Sequence, residues 1–373
     1  TNESMYCAFL KDCVNCSRCF ASVNLRNKSY VVFNEQFTKE EYLKKISEID
    51  LGSYKKYQEI KNEALKHFKK FPSRGVYQNI TQNCTGSYIF ESKNCKECYE
   101  VGYSEDCKYC MLMKQAQVKD CYDYTDWGFG AERIYDSIVV GENVSNVKFC
   151  WYVYQNSSEM EYCALCVGCK NCFGCVGLRS KQYCIFNKQY SKEEYFKLRE
   201  KIIEHMNKMP FVDKKGIVYK YGEFFPMEFS SYPYNNSFAN FFFPRNKEEV
   251  EKNGLVWYEA NVKKYPITLP ASKLPDNIKD TPDEILQEII GCSTCPRGYK
   301  IIKLELDLSK KMNVPLSRQC PFCRIEDKVK KWVSQMKQVD RICDKCGVDF
   351  KTHYTKEEAS KIFCKSCYNK EVY

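Results

Sequence analysis

Through the first half of the chain the recurring apolar positions are cysteines. An Asn or Asp precedes Cys, two residues follow, and Cys or a substitute comes next. The instances are Asn15-Cys16…Cys19, Asn83-Cys84…Ser87, Asn94-Cys95…Cys98, Asp106-Cys107…Cys110, Asp120-Cys121…Tyr124 and Asn171-Cys172…Cys175. Asn146-Val147…Cys150 is a seventh, with Val in place of the first thiol. The starts at 83, 94, 106 and 120 lie 11, 12 and 14 residues apart. Such drifting intervals predict coils of a β-solenoid, in which loops absorb insertions, Asx side chains stack at a corner and Cys points inward as a small hydrophobe.

A longer repeat overlies the first. Cys7, Cys13, Cys16 and Cys19 match Cys163, Cys169, Cys172 and Cys175 at an offset of 156. Leu25–Tyr30 then matches Leu178–Tyr183 at 153, and the match runs on to Thr38-Lys39-Glu40-Glu41 and Ser191-Lys192-Glu193-Glu194. Each of these last segments is a capping box. Helices should follow, with Tyr42, Ile46 and Ile49 on one apolar face and Tyr195, Ile202 and Met206 on the other's. Residues 53–70 predict a further, basic helix. Residue 1 is Thr, so the chain reads as a processed product or a fragment, with the first solenoid unit continuing upstream.

Residues 210–290 contain no cysteine and are rich in aromatics and proline. They predict extended, irregular chain laid over the preceding unit, with a short helix near Lys247–Lys252 and another starting at Thr281-Pro282. Aromatic interleaving suits nucleic-acid stacking as well as a buried core. The expected boundaries are 1–50 (end of a first solenoid unit with its capping helix), 51–80 (basic connecting helix) and 81–209 (second solenoid unit with its capping helix). They continue with 210–290 (aromatic and Pro-rich segment), 291–335 (zinc module 1) and 336–373 (zinc module 2). The fold class expected is mainly β with α: cysteine-lined β-solenoid units closed by capping helices, plus small C-terminal four-cysteine zinc modules.

The tail carries the clearest chemistry. Cys292-x2-Cys295 with Cys320-x2-Cys323, and Cys343-x2-Cys346 with Cys364-x2-Cys367, have the spacing of structural four-cysteine zinc, giving two zinc ions per chain. Gly347 supplies the tight turn of a knuckle. With 25 cysteines and three histidines, His67, His205 and His353, a His-rich catalytic metal site is excluded. The run Cys163, Cys166, Cys169, Cys172, Cys175 leaves room for an iron–sulfur cluster, hence a redox protein, or for a further zinc. It lacks the three-residue gap and following Pro of the bacterial ferredoxin motif, and interior packing is favoured.

Charge sharpens the reading. Lys+Arg is 58 and Asp+Glu 48, a formal net charge of +10. Residues 296–373 alone hold 18 basic and 10 acidic residues, or +8. Such a tail suits the phosphate backbone of nucleic acid, with Arg318, Arg324, Lys328, Lys330, Lys331, Arg341 and Lys345 as candidate contacts, or else is a solvated basic face. No Gly-rich phosphate loop, nucleophile motif or paired His/carboxylate constellation indicates an enzyme. No apolar run is long enough to span a bilayer. An odd cysteine count in Cys-x-x-Cys spacing points to a reducing compartment, the cytoplasm or a virion assembled there.

The run Cys169-Lys170-Asn171-Cys172-Phe173-Gly174-Cys175-Val176-Gly177-Leu178-Arg179, with Tyr183–Tyr190, Cys320-Pro321-Phe322-Cys323-Arg324 and the ending Cys364–Tyr373, resembles a family. It is similar to the uncharacterised cysteine-rich zinc-ribbon proteins of candidate-phyla bacteria and large DNA viruses, over most of residues 160–373. The resemblance implies metal binding and no established activity. Members of that family begin with a further zinc module, which this sequence lacks. The function expected is a non-enzymatic, zinc-binding scaffold whose basic C-terminal modules bind nucleic acid or a nucleoprotein. The alternative is a structural protein of a virion or other large complex, using solenoid faces for protein contacts or self-assembly.

Overall fold

A computed structural model describes residues 1–113, 117–259 and 265–373; residues 114–116 of the expected second unit and 260–264 of the aromatic segment lie outside them. The Asx-Cys step has a backbone cause. Asn15, Asn83, Asn94, Asp106, Asp120, Asn146 and Asn171 all adopt positive φ, between 50 and 54°. That left-handed region penalises most side chains, and Asn and Asp are among the residues that tolerate it best, although Tyr88, Tyr109, Leu112 and Val139 also adopt it in this unit. The corner side chains then meet: Asn83 Nδ2 donates to Asn94 Oδ1 (2.9 Å) and Asn94 Nδ2 to Asp106 Oδ1 (2.8 Å). The following residue turns inward. Cys95, Cys107, Cys121 and Cys172 are buried, while Cys84 is half-buried.

Two compact units result, residues 1–75 with 259–373, and residues 76–258. In the second, parallel strands Val118–Lys119, Ser104–Glu105, Gly86–Lys93, Cys98–Gly102, Met111–Met113, Tyr122–Gly128 and Ala131–Gly141 are hydrogen-bonded in that order. Val118–Lys119 also pairs with Ala131–Gly141, which closes the ring. This overturns the expected fold class. The chain is mixed α/β, 27% helix and 32% strand, with a seven-strand parallel β-barrel core and flanking strands. It is not a mainly β chain of cysteine-lined solenoid units. The physical reason is that a repeat reports the spacing of paired positions, about a dozen residues here, and says nothing of closure. Closure depends on Ala131–Gly141, eleven residues long, which takes partners on several sides.

Flanking strands Val144–Lys148, Ser158–Glu161, Lys170–Phe173 and Gln182–Ile185 continue in parallel order, and Lys188–Gln189 turns back antiparallel. Helix Lys192–Lys208 follows, started by the Ser191/Glu194 capping box, and buries Tyr195 against Phe173 and Ile185. Beneath it Arg199 Nη2 meets Glu161 Oε1 at 2.5 Å, and Tyr221 Oη donates to Glu161 Oε2 at 2.7 Å. Tyr221 and Phe225 pack on Tyr162, so this part of the aromatic segment belongs to the second unit.

The first unit holds the other copy of the long repeat. Ser17–Phe20 and Ser29–Val32 pair in parallel, Glu35–Gln36 turns back, and the Thr38/Glu41 capping box starts helix Lys39–Ser47. Helix Tyr54–Phe68 is the basic helix expected near 53–70. A second core gathers Ile278, Ile285, Ile290, Ile301 and Leu306. The helix expected after Thr281-Pro282 is a short 3-10 turn, Asp283–Gln287. Lys303–Met312, Pro321–Ser334 and Lys365–Val372 are helices that cysteine spacing did not reveal. Near the end of the chain, Ile362–Phe363 pairs in parallel with Ser73–Arg74, and the Tyr368 hydroxyl donates to Asn24 Oδ1 at 2.7 Å. Among the described residues no helix is long and apolar enough to cross a membrane.

Candidate metal centres

The eight tail cysteines form two sets of four, and within each set all Sγ atoms lie within 4.8 Å of one another. Cys292 and Cys323 are 3.9 Å apart, Cys295 and Cys320 3.7 Å, Cys346 and Cys364 3.8 Å. Four thiolates at about 2.3 Å around a tetrahedral zinc are separated by about 3.8 Å, so these spacings fit the ion. They are far too long for disulfides, and every cysteine is a free thiol.

Both sites are built alike: a hairpin tip supplies two cysteines and the first turn of a helix the other two. Ile290–Gly291 and Gly298–Tyr299 pair antiparallel, and Cys292 N donates to Arg297 O (3.0 Å), which folds the knuckle. Cys320 is the N-cap of Pro321–Ser334, with Pro at the first helical position, and Cys323 lies in its first turn. At the second site the hairpin is Val339–Ile342 with Asp349–Thr352. Gly347 turns at φ 74° with open space around its Cα. Cys364 caps Lys365–Val372 and Cys367 lies in its first turn. Amides at a helix N-terminus favour thiolate, but at Cys320, Cys364 and Cys367 burial and neighbouring thiols outweigh them.

Electrostatics within each set are uneven. Burial opposes ionisation of Cys292, but the amides of Cys320, Thr294 and Cys295 outweigh it and bring the thiol down to about 6. Cys343 behaves alike: burial opposes, the amides of Cys364, Lys345 and Cys346 prevail, and the value falls to about 6. Cys320 and Cys364 are raised, chiefly by burial. Cys367 is pushed up to about 12, first by its hydrogen bond with Cys346 and then by burial. Metal binding at either site therefore displaces protons from the raised thiols. Four protein ligands leave no open position for substrate.

Supporting residues were not evident from the sequence. Arg297 Nη1 lies 3.7 Å from Cys295 Sγ, and its guanidinium sits over the Phe322 ring. Asp344 N donates to Ile362 O (3.0 Å) and Asp344 Oδ2 accepts from Ile362 N (2.6 Å), fastening the second knuckle to the strand before Cys364. Arg297 directly follows Cys295-Pro296 and Asp344 lies inside its knuckle, which is the only sequence signal either one carries.

The seven basic candidates separate into three kinds. Arg318 donates to the carbonyls of Leu274 and Pro275, Arg341 to those of Tyr354 and Ala359, and Arg324 pairs with Glu305. Lys330 pairs with Glu326 and Lys345 with Glu371 on the surface. Lys328 and Lys331 are exposed and have no ion-pair partner among the described residues.

The thiols of Cys163, Cys166 and Cys175 are buried and donate to the carbonyls of Cys172 (3.4 Å), Cys175 (3.6 Å) and Cys184 (3.4 Å). Among the described residues no further set of three or more Cys, His, Asp or Glu converges as the tail cysteines do. No protein-family model, curated protein or solved structure matches this chain, so the reading of its metal centres rests on their own geometry.

Proposed function

We propose that the protein is a non-enzymatic scaffold holding two structural zinc ions, with the exposed lysines of its basic tail contacting the phosphate backbone of nucleic acid. The observation that carries the zinc reading is the pair of closed four-thiolate sets with tetrahedral sulfur spacing. Twenty-five unpaired thiols agree with a reducing compartment. The backbone reading draws support from the tail's charge and from Lys328 and Lys331. Elemental analysis should give two zinc ions per chain. Affinity for short single- and double-stranded DNA and RNA should be indifferent to sequence and fall steeply as salt rises. Changing Lys328, Lys330 and Lys331 together to Gln should flatten that salt slope without releasing zinc.

The second reading, a structural component of a larger assembly, is favoured by one observation: Arg318 Nη2, Arg324 Nη1 and both Arg341 Nη atoms donate to groups of the fold itself. It predicts no nucleic-acid binding at physiological salt and no effect of the triple substitution.

A further inference from the structure

Within the first unit a recess of about 590 Å³ lies between helix Tyr54–Phe68 and residues 314–319, bounded also by Ser293 of the first knuckle. That size falls within the range of about 300–1,000 Å³ of small-molecule sites. Tyr57, Gln58 and Lys61 stand three, four and seven residues beyond Tyr54, so one helix face lines the recess. Phe9 pins the Tyr57 ring from one side, with centroids 5.3 Å apart.

Charge and hydrogen-bonding capacity are left unspent there. Lys61 is exposed and has no ion-pair partner among the described residues. Arg318 lies over the Tyr54 ring at 4.6 Å and donates Nη2 to two neutral carbonyls, and no carboxylate bonds to it. Its Nη1 is buried without a hydrogen-bond partner among the described residues. Gln319 Nε2 is held by Thr294 Oγ1 and Asp327 Oδ2, which leaves its Oε1 open as an acceptor. Lys61 and Arg318 favour an anion although the Asp276 carboxylate acts on Arg318 and Asp327 also lines the recess, a pinned tyrosine offers a stacking face, and the Gln58 and Gln319 amides can read a ring edge.

We propose that this recess binds a nucleoside phosphate, with the phosphate at Lys61 and Arg318 and the base laid on Tyr57, its edge facing Gln58 and Gln319. This goes beyond the backbone reading, which uses Lys328 and Lys331 and no base. The ligand chemistry has two sources, a free nucleotide or one residue of a single strand.

The test titrates the full zinc-loaded chain with AMP, GMP, CMP, UMP, inorganic phosphate and a single-stranded RNA pentamer, followed by calorimetry. At least one monophosphate should bind, with inorganic phosphate competing weakly, and Lys61→Glu should weaken it about tenfold or more. Gln58→Ala should change the ranking of the four bases. Zinc content and circular dichroism confirm that each variant is folded. A pentamer bound more tightly than any monophosphate, and weakened by Lys61→Glu, assigns the site to a strand; equal affinities assign it to the free nucleotide. No monophosphate bound below about 10 mM, or Lys61→Glu binding as well as the parent, overturns the proposal. Pentamer binding that Lys61→Glu leaves untouched but Lys328→Gln with Lys331→Gln weakens also overturns it, while sparing the backbone reading.

Discussion

Replacing Cys343 with Ser removes one of four ligands from the second metal centre and should empty it. The consequence follows from comparing energies. Structural zinc supplies about 10–16 kcal/mol to a small module, as much as the entire stability of a typical domain, about 5–15 kcal/mol. What residues 343–373 retain without it is slight: a cluster around Cys343, Phe363 and Tyr368, strands of four and two residues and an eight-residue helix. A segment that small does not sustain a core of its own. It should therefore unfold, and the loss should reach the other end of the sequence, because Ser73 N donates to Lys361 O (2.9 Å) and Gly75 N to Phe363 O (3.0 Å). Hydrogen exchange on Cys343→Ser should show both amides losing protection, and zinc content should drop from two to one. The amides of Cys292 and Ser293, bonded to Arg297 O and Arg318 O, should stay protected. Two zinc ions retained, or Ser73 and Gly75 still protected, would show that the module holds together without its Cys343 ligand.

Three further outcomes are expected. Tyr368→Phe removes the hydroxyl bond to Asn24 and should cost about 1 kcal/mol, whereas Tyr368→Ala, at a fully buried ring, should cost about 3–5 kcal/mol; denaturant titration of the zinc-loaded protein measures both. Burial holds His353 down at about 4 against the nearby carboxylate of Glu358. Its folded value lies below the unfolded one of 6.5, so stability is full above pH 6.5 and falls by about 3 kcal/mol as pH drops toward 4; His353→Phe should remove that part of the acid sensitivity, and a variant as acid-sensitive as the parent would place its origin elsewhere. In the second unit Glu161→Ala leaves the Arg199 charge without its partner and should cost about 3 kcal/mol by thermal melting, with Arg199→Met in the same chain recovering most of it.

Features set by local chemistry are legible along the chain. Asx before Cys marks corners, because Asn and Asp tolerate a left-handed backbone and their short amides and carboxylates reach one another from turn to turn, although Tyr88, Tyr109 and Leu112 also hold that conformation. Thr38/Glu41 and Ser191/Glu194 mark helix starts, since a capping box is closed within four residues. Four Cys-x-x-Cys pairs in the tail mark the candidate metal centres, because a hairpin tip or the first turn of a helix aims two thiols to one side by local geometry alone. Which pairs belong together was legible from their order along the chain, and in the structure the eight thiols draw together as two groups of four.

Other features come from contacts between segments distant in the chain. Ring closure in the second unit depends on Val118–Lys119 meeting Ala131–Gly141, a pairing that repeat spacing leaves open. Charge counting gave Arg318, Arg324 and Arg341 the same standing as Lys328 and Lys331, yet the arginines bond inward and these lysines stay in solvent. A guanidinium's fate is set by the carbonyls and carboxylates that distant segments bring to it. The joining of Ser73–Arg74 to Ile362–Phe363, and the recess beside Tyr57, likewise arise only when segments hundreds of residues apart in the chain come together.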